Sequence, residues 1–343
     1  MTHAIIGCGR VAPNHVDGFG AVPAVQIRWA CDRDGPTADT FGRTYSVARI
    51  TTDVDEVLAD PDVDSVSVLV DHAQHTDIAK AALHAGKHVL VEKPVALNSR
   101  AAWDLIALAE QKNLVFSVVS QHRYDPLVRR VRQWVEDGLL GRLVLCNVTL
   151  HSRRNEDYYA DSYWRGTWSG EGGSALINQG YHCIDVAQSL CGPFTVQGAT
   201  WSSSRLTDVI ETDETLAAVL TAPNGLAATL AVTVSSSEVW RSRICLAGEA
   251  GTVEFDLDHP NRLHRCTGNP ILEQEGASFA VAVQETAAPA GLDYYGISHR
   301  RQAADFCRSV RTGEPMLYPA SDAVGTLALI QDVYRASGRL HGS

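Results

Sequence analysis

The sequence predicts an α/β domain with a parallel sheet, followed by an α+β domain with a large, mostly antiparallel, open-faced sheet. The chain has 343 residues, which exceeds one ordinary domain and fits two. Over residues 1–120, short apolar runs alternate with segments of helical spacing, a pattern typical of a parallel sheet covered on both faces. Over residues 121–343, long alternating segments indicate antiparallel strands and therefore a second domain.

Each apolar run of the first domain is interpreted as a buried strand, because it is short and mostly apolar. The predicted strands are Ala4–Gly7, Val25–Cys31, Val63–Val70, His88–Val91 and Leu114–Val119. Apolar residues recur at helical spacing between them, which predicts helices at Thr76–Ala85 and Ser99–Gln111.

The second domain is predicted to combine long strands with a few helices. The predicted helices are Pro126–Asp137, Ser174–Leu190, Ser298–Arg311 and Ser321–Ser337. The predicted strands are Arg142–Arg154, Glu214–Thr221, Leu226–Ser235, Arg243–Ala247 and Thr252–Asp256. Residues 268–292 show the weakest pattern, and we expect the least structure there.

Composition and charge exclude several classes of function. Lys and Arg number 29 against 40 Asp and Glu, a net charge of −11 that argues against a general binder of nucleic acid or anionic membranes. No apolar stretch approaches the roughly twenty residues of a membrane span, and no signal peptide is visible. Eight scattered cysteines without a CxxC pair indicate reduced thiols, a cytoplasmic protein and no zinc site.

A dinucleotide site is predicted after the first strand. Gly7-Cys8-Gly9-Arg10-Val11-Ala12 reads G-x-G-x-x-A, which permits a tight turn, approach of a pyrophosphate and close packing of helix on strand. Asp32 ends the second strand 20 residues later, where a carboxylate accepts hydrogen bonds from ribose hydroxyls. These features predict a Rossmann domain. Asp32 favours NAD because it repels a 2′-phosphate, whereas the adjacent Arg33 leaves NADP open.

Further motifs carry a family resemblance. Glu92-Lys93-Pro94 closes the strand His88–Val91, Gln121-His122-Arg123-Tyr124 follows the next strand, and Asn178-Gln179-Gly180-Tyr181-His182-Cys183-Ile184-Asp185 lies on a predicted helix. Over nearly its whole length the chain resembles the Gfo/Idh/MocA oxidoreductases, relatives of glucose–fructose oxidoreductase and inositol dehydrogenase. The segment from Trp164 to Gly180 looks like the branch that oxidises or reduces C3 of sugars, including nucleotide-linked acetamido-uronate 3-dehydrogenases.

Together, the motifs and the resemblance give a set of expected cofactor contacts. These are Gly7, Gly9, Arg10, Val11, Ala12, Asp32, Arg33, His72, His75, Glu92 and Lys93. The sequence departs from the family at two places. Leu69-Val70-Asp71-His72 replaces a common Cys-Thr-Pro-Asn, so His72 is a candidate only. Asn178 stands where inositol dehydrogenases carry Asp, which argues against that branch.

Lys93 and His182 are the predicted catalytic residues. Oxidation of a secondary alcohol removes a hydride and a proton. Lys93 lies at the carboxyl end of a parallel strand, where an ammonium can stabilise a developing alkoxide. His182 is suited to accept the proton, and on one continuous helix Asn178 and Asp185 would share its face and bind hydroxyls. Alternatively, Asn178, His182 and Asp185 form a buried polar helix face without a function.

An arginine- and aromatic-rich loop precedes that helix. It predicts that the substrate carries a phosphate or carboxylate, with Arg165 as the main contact, held between Trp164 and Trp168. The alternative is that its arginines are solvated or paired with nearby acids. The expected substrate contacts are Asn178, Asp185, Arg123, Tyr159, Arg165 and Trp164.

The predicted function is an NAD-dependent oxidoreductase acting at a ring secondary hydroxyl or ketone of a sugar or nucleotide sugar. A cyclitol dehydrogenase, or a glycosidase that oxidises C3 transiently, remains the alternative. A homodimer or homotetramer is expected, because the second face of Leu226–Ser235 is small, weakly polar and flat enough to meet another sheet. No metal and no nucleic-acid or membrane partner is expected.

Overall fold

The computed structural model describes residues 1–258, 261–283 and 298–339, which form two compact units. The first unit comprises Met1–Gln121 and Ile297–Val324, the second His122–Gly296 and Gly325–Ser343. Residues 298–324 thus cluster with the first unit, although the sequence placed them in the second domain. A search of the described residues finds no helix that is both long and apolar enough to cross a membrane.

The first unit holds a parallel six-stranded sheet of order β3-β2-β1-β4-β5-β6. Its strands are β1 Thr2–Ile6, β2 Gln26–Cys31, β3 Arg49–Thr51, β4 Ser65–Val68, β5 His88–Val91 and β6 Phe116–Val118. Its helices are α1 Ala12–Gly20, α2 Gly35–Thr44, α3 Val54–Ala59, α4 His75–His84 and α5 Ser99–Gln111. Strands β1 and β4 are almost fully buried, as expected for a parallel sheet.

The second unit holds a seven-stranded sheet of order β13-β12-β11-β7-β10-β9-β8, in which β7 and β10 are parallel and the other pairs antiparallel. Its strands are β7 Leu143–Arg153, β8 Thr195–Ser202, β9 Thr215–Thr221, β10 Ala227–Thr233, β11 Ser235–Gly248, β12 Thr252–Phe255 and β13 Leu263–Thr267. Its helices are α6 Pro126–Glu136, α7 Glu156–Ala160, α8 Tyr181–Cys191 and α9 Pro270–Val283.

Two helices follow residue 297. Helix α10, Ser298–Thr312, belongs to the first unit and packs along α1. Arg300 makes two 2.6 Å hydrogen bonds to the Asp17 carboxylate of α1, and Gln302 bonds the chain after β6 through Ser120 N–H and Val118 O. Helix α11, Ala320–Ala336, begins in the first unit and ends in the second.

The predicted fold class is confirmed: a parallel Rossmann-like sheet and a second, mostly antiparallel sheet. The alternation along β10 is also confirmed, since Ala228, Leu230 and Val232 are buried while Ala227 and Thr229 are exposed. The cysteines, all among the described residues, are free thiols, and most are buried.

The expectation of little structure in residues 268–292 was wrong for Pro270–Val283, which forms α9. Residues 284–292 lie outside the described residues. The sequence also missed the short or half-exposed elements α2, α3, α7, β3, β8 and β13, and α7 lies in a segment that was expected to be a loop. Edge strand β8 shows the reason, because no residue in it is buried and no apolar face marks it.

Candidate functional site

The glycine turn of the first unit has the shape of a phosphate cradle. Gly7 has a φ of 97°, in the left-handed region that favours glycine. A Cβ on Gly7 would lie 2.5 Å from the carbonyl oxygen of Leu69, so no side chain fits there. A Cβ on Gly9 would meet no described atom within 4 Å, so the backbone faces open space where a pyrophosphate can approach. Ala12 is fully buried, as close packing of helix on strand requires.

Helix α1 presents its N-terminus beside this turn. No side chain among the described residues caps it, and Pro13 occupies its first turn. A helix N-terminus attracts phosphate through its backbone N–H groups and its dipole. Arg10 is exposed and Val11 half-buried. The geometry of the turn and helix fits a dinucleotide pyrophosphate.

Asp32, directly after β2, is fixed next to the glycine turn. Its Oδ2 accepts the Cys8 N–H and its Oδ1 accepts the Asp34 N–H, both at 2.9 Å. Each carboxylate oxygen has a further lone pair that can accept a ribose hydroxyl. Arg33 is exposed. The glycine turn, the helix N-terminus and this carboxylate together are the donor and acceptor set that fits NAD.

The turn at Lys93 is anchored on both sides. Lys93 follows β5, and its N–H donates to Glu92 Oε2 at 3.0 Å. The Lys93–Pro94 peptide bond is cis, and His75 Nδ1 lies 2.7 Å from the Pro94 carbonyl oxygen. His75 Nε2 lies 3.1 Å from Val70 O. Glu92 and His75 were expected as cofactor contacts, but their polar side-chain atoms contact groups of the protein itself.

His72, the other expected histidine contact, forms a short 3₁₀ turn after Asp71. It is 5% exposed, and its ring centroid lies 5.8 Å from that of His75. Asp71 accepts hydrogen bonds from the N–H and the side chain of Gln74 and so holds this turn in place. The segment therefore lies beside the Lys93 turn, which His75 contacts at the Pro94 carbonyl.

Asn178 and His182 do not lie on one continuous α-helix, so the predicted helix Ser174–Leu190 is corrected. Ala175–Gln179 forms a π-helical turn, and α8 begins at Tyr181. A π-turn shifts the following residues relative to an α-helical face, and such turns often occur at functional sites. Asn178 and His182 are partly exposed, whereas the residues next to them in the chain are buried.

Two neighbours of these residues were missed by sequence reasoning. Glu171 Oε1 accepts the Asn178 amide at 2.5 Å. The His122 ring meets the His182 ring edge to face with centroids 4.9 Å apart, and His122 Nδ1 lies 2.7 Å from Asp125. His122 stood within a motif already noted, but Glu171 gave no signal, because its role depends on burial that only the fold creates.

Burial makes the Glu171 carboxyl group a weaker acid than an exposed glutamate. It is fully buried, and this raises the pKa of its carboxyl group to about 7 against the hydrogen bonds from Ser174, Asn178 and Gly166. The nearby Asp213, also fully buried, has a pKa raised to about 6 by burial. A carboxyl group that titrates near neutral pH therefore holds the Asn178 amide.

Asp185 and Arg123 form an internal ion pair. Asp185 is 0% and Arg123 3% exposed, and the guanidinium makes hydrogen bonds of 2.9 and 2.7 Å to the two carboxylate oxygens. Thr326 Oγ1 donates a third bond of 2.9 Å to Asp185. Both oxygens are thus used within the protein. The pair anchors α8 from inside, a role that differs from the direct substrate contact expected from the sequence.

The Arg165 guanidinium lies against the faces of two aromatic rings. The guanidinium carbon lies 4.5 Å from the Tyr158 ring centroid and 5.3 Å from that of Trp164, while Nη1 donates to the Tyr158 carbonyl. Arg154 lies over the same Tyr158 ring at 5.1 Å. Trp168, expected beside Arg165, instead bonds Glu211 and faces Arg339, and Tyr159 is buried.

His15, Glu92 and His299 come together in the first unit, although they are far apart in sequence. One ligand-capable atom from each lies within 4.8 Å of the others, and all three residues are buried. The sequence spacing gave no indication of such a cluster. The packing of α10 on α1 brings His299 into this cluster.

The cradle, the carboxylate beside it and the lysine at the strand end are typical of a dinucleotide-dependent oxidoreductase. The chain belongs to the Gfo/Idh/MocA oxidoreductase family and uses NAD. Residues 1–120 match the family's NAD-binding Rossmann fold, and residues 128–254 match its C-terminal domain.

Individual relatives and solved structures are similar to this chain at low identity. An uncharacterized oxidoreductase of Schizosaccharomyces pombe is 30% identical over 274 residues, 76% of this chain and 73% of that one. The WlbA dehydrogenase of Bordetella pertussis, solved with NADH and UDP-GlcNAcA, is 22% identical with a TM-score of 0.86, covering 98% of this chain and 95% of that one. Levoglucosan dehydrogenase, solved with NADH and levoglucosan, is 20% identical with a TM-score of 0.84, covering 99% and 97%.

Proposed function

We propose that the protein transfers a hydride between NAD and a ring secondary hydroxyl or ketone of a sugar, at C3. The observation that carries this proposal is the anchored turn that presents Lys93 at the carboxyl end of a strand in the NAD-binding unit. In parallel α/β sheets, ligands bind at that edge. The relatives solved with levoglucosan and with UDP-GlcNAcA support a sugar or nucleotide sugar as the substrate class.

The residues divide the chemistry between them. In oxidation, the C–H bond of the carbinol breaks and its electron pair leaves as hydride, for which bound NAD is the acceptor. The O–H bond breaks as the carbonyl forms, and His182 takes the proton. The Lys93 ammonium donates a hydrogen bond to the same oxygen and stabilises its developing negative charge. Reduction runs through the reverse steps.

The substrate is proposed to carry a phosphate or carboxylate. Arg154 and Arg165 flank the Tyr158 ring, so two guanidinium groups lie close together within an acidic chain. Asp161 Oδ2 lies 3.8 Å from Arg165 Nη1, and the Asp161 side chain is 59% exposed, so it is a weak competitor for that cation. Guanidinium groups match phosphate and carboxylate geometry, and a tyrosine face can stack on a sugar or base.

A substrate screen tests the proposal. The purified protein is mixed with NAD and nucleotide sugars, free sugars or cyclitols, and NADH absorbance is followed. We expect steady NADH accumulation, strongest with an anionic sugar. Release of an aglycone without NADH would instead identify the glycosidase that oxidises C3 transiently. A cyclitol as the best substrate would contradict the sugar assignment.

We also propose that the exposed face of the second sheet mediates homo-oligomerisation. Val219 on β9 is 53% exposed, and the adjacent β10 presents Ala227, Thr229 and Ala231 on the same side. A flat face of small and apolar side chains suits contact with a second copy. Light scattering at micromolar concentration tests this, and a strict monomer would refute it.

A further inference from the structure

The cluster of His15, Glu92 and His299 touches the turn that carries Lys93. His15 lies on α1, Glu92 directly after β5 and His299 on α10, with exposed fractions of 2%, 7% and 5%. His15 Nε2 lies 3.3 Å and His299 Nε2 3.9 Å from the same oxygen, Glu92 Oε1. The other oxygen, Oε2, accepts the Lys93 N–H. Glu92 therefore connects the cluster to Lys93.

A line of buried hydrogen bonds extends from His15 into the sheet. His15 Nδ1 lies 2.9 Å from Ser67 Oγ, on β4. Ser67 Oγ in turn lies 2.9 Å from His3 Nε2, on β1. His3 Nδ1 lies 2.8 Å from Ser65 Oγ. All four of these side chains belong to residues no more than 2% exposed, so water does not compete for the bonds.

The protonation states of these groups set the donor-to-acceptor direction of the hydrogen bonds. Burial lowers the pKa of His3 well below its usual value, and burial also lowers the pKa of His15 against the effect of Glu92. Although burial alone would raise it, the two neighbouring histidines hold the pKa of Glu92 well below its usual range.

With neutral imidazoles and an ionised carboxylate, every hydrogen bond of the line donates towards Glu92. The Ser65 hydroxyl donates to His3, His3 to Ser67, Ser67 to His15, and His15 Nε2–H to Glu92. The opposite direction would require a protonated Glu92. Hydrogen bonds in such a chain polarise one another, so each one strengthens the hold on the carboxylate.

We propose that Glu92 and His15 are positioning residues for the reaction: His15 holds the Glu92 carboxylate, and Glu92 fixes the backbone of Lys93. This inference rests on the role proposed above for Lys93. Glu92 holds the turn on one side, and His75, at the Pro94 carbonyl, holds it on the other. A displacement of about 1 Å at a reacting group can cost about 100-fold in rate, so the anchoring matters for catalysis.

His299 serves as a second imidazole facing the carboxylate. Among the described residues, neither of its ring nitrogens has a hydrogen-bond partner, and Glu92 is the acid it faces. Two imidazoles and a carboxylate are also a donor set that zinc uses. Here the hydrogen bonds of His15 and of the Lys93 N–H already engage both Glu92 oxygens, which favours positioning over a metal.

Selective labelling tests the proposal without a substrate. The chain has four lysines, so ¹⁵N-lysine labelling of the NAD-bound protein gives four backbone amide signals, one of them from Lys93. Assignment uses Lys93→Arg. In Glu92→Gln the Lys93 amide should move upfield, because it loses its charged acceptor. The amides of Lys80, Lys87 and Lys112 should stay in place.

A matched pair at His15 separates positioning from mere packing. The amide of Gln in His15→Gln can reach the place of Nε2 and bond Glu92, whereas that of Asn in His15→Asn reaches only the place of Nδ1. We expect His15→Gln to keep the Lys93 signal, and His15→Asn to shift it as Glu92→Gln does. If His15→Asn fails to fold, the nearly isosteric Glu92→Gln variant decides the question.

Kinetics with the sugar found in the substrate screen complete the test. Glu92→Gln and His15→Asn should lower kcat by about 10- to 100-fold at nearly unchanged KM and NADH affinity, as expected for a misplaced reacting group. Unmoved Lys93 signals in folded variants would overturn the inference. So would one zinc per chain that is lost in His299→Phe. A shifted Lys93 signal in a protein that oxidises no sugar would instead refute the proposed function alone.

Discussion

Replacing Asp185 by asparagine removes one charge from a buried ion pair with little change in shape. Arg123 would keep its charge at 3% exposure, without the carboxylate that now accepts two of its hydrogen bonds. Removing one partner of a buried ion pair usually lowers the free energy of unfolding by about 3–5 kcal/mol, because the other charge is left uncompensated. The loss should act on α8, which carries both Asp185 and His182.

Thermal unfolding measures this cost. A loss of about 3–5 kcal/mol corresponds to a fall in Tm of roughly 10 °C for a unit of this size. Glu249→Gln is the matched control, because it breaks the Arg142–Glu249 pair of the same unit, whose side chains are 59% and 56% exposed. Such an exposed pair contributes about 0–1 kcal/mol, so the control should unfold almost as the wild type does.

The same variant distinguishes the two roles considered for Asp185. If the carboxylate contacted substrate directly, as the sequence suggested, Asp185→Asn would raise KM while Tm stayed within about 2 °C of the wild type. That result would refute the structural reasoning. A large fall in Tm would confirm that the pair anchors the helix.

Three further substitutions follow from the site. Asp32→Ala should weaken NAD binding much more than NADP binding, measured by cofactor fluorescence titration, and equal losses would contradict the ribose contact. Arg165→Ala should raise KM for an anionic sugar by about 10- to 100-fold without lowering kcat, as for a lost charge-assisted pair, and an unchanged KM would contradict the anion site. The pKa of Glu171 is raised in the folded state from its ordinary 4.5 to about 7, so its ionisation should lower wild-type stability by about 3 kcal/mol as pH rises between those values. Asp213, whose pKa is raised to about 6, adds a separate fall that is complete at lower pH. In urea unfolding, Glu171→Gln should therefore remove the fall that the wild type shows above the pKa of Asp213, and an unchanged pH dependence there would show that another group causes it.

Local signals allowed the NAD-binding half to be predicted. The glycine turn and Asp32 are separated by a short stretch of chain, and their function depends on a backbone shape that the residue types themselves impose. The alternating faces of β10 were predictable for the same reason, since period-two burial is visible in the sequence.

Features that depend on distant contacts could not be predicted. The internal pairing of Asp185 requires Arg123, 62 residues away, and Thr326, 141 residues away. The burial that raises the pKa of Glu171 exists only once the second unit has folded. The π-helical turn before α8 also escaped the sequence, because its apolar spacing resembles that of an ordinary helix.

The central claim is that Lys93 serves the hydride transfer and not the binding of the cofactor. Its most direct test is the kcat of Lys93→Ala with the best sugar of the screen, beside the NADH dissociation constant of the same variant. We expect kcat to fall by about 10²- to 10⁴-fold, the range of acid–base groups, with NADH affinity nearly unchanged. Turnover near that of the wild type, or a loss confined to NADH affinity, would contradict the account.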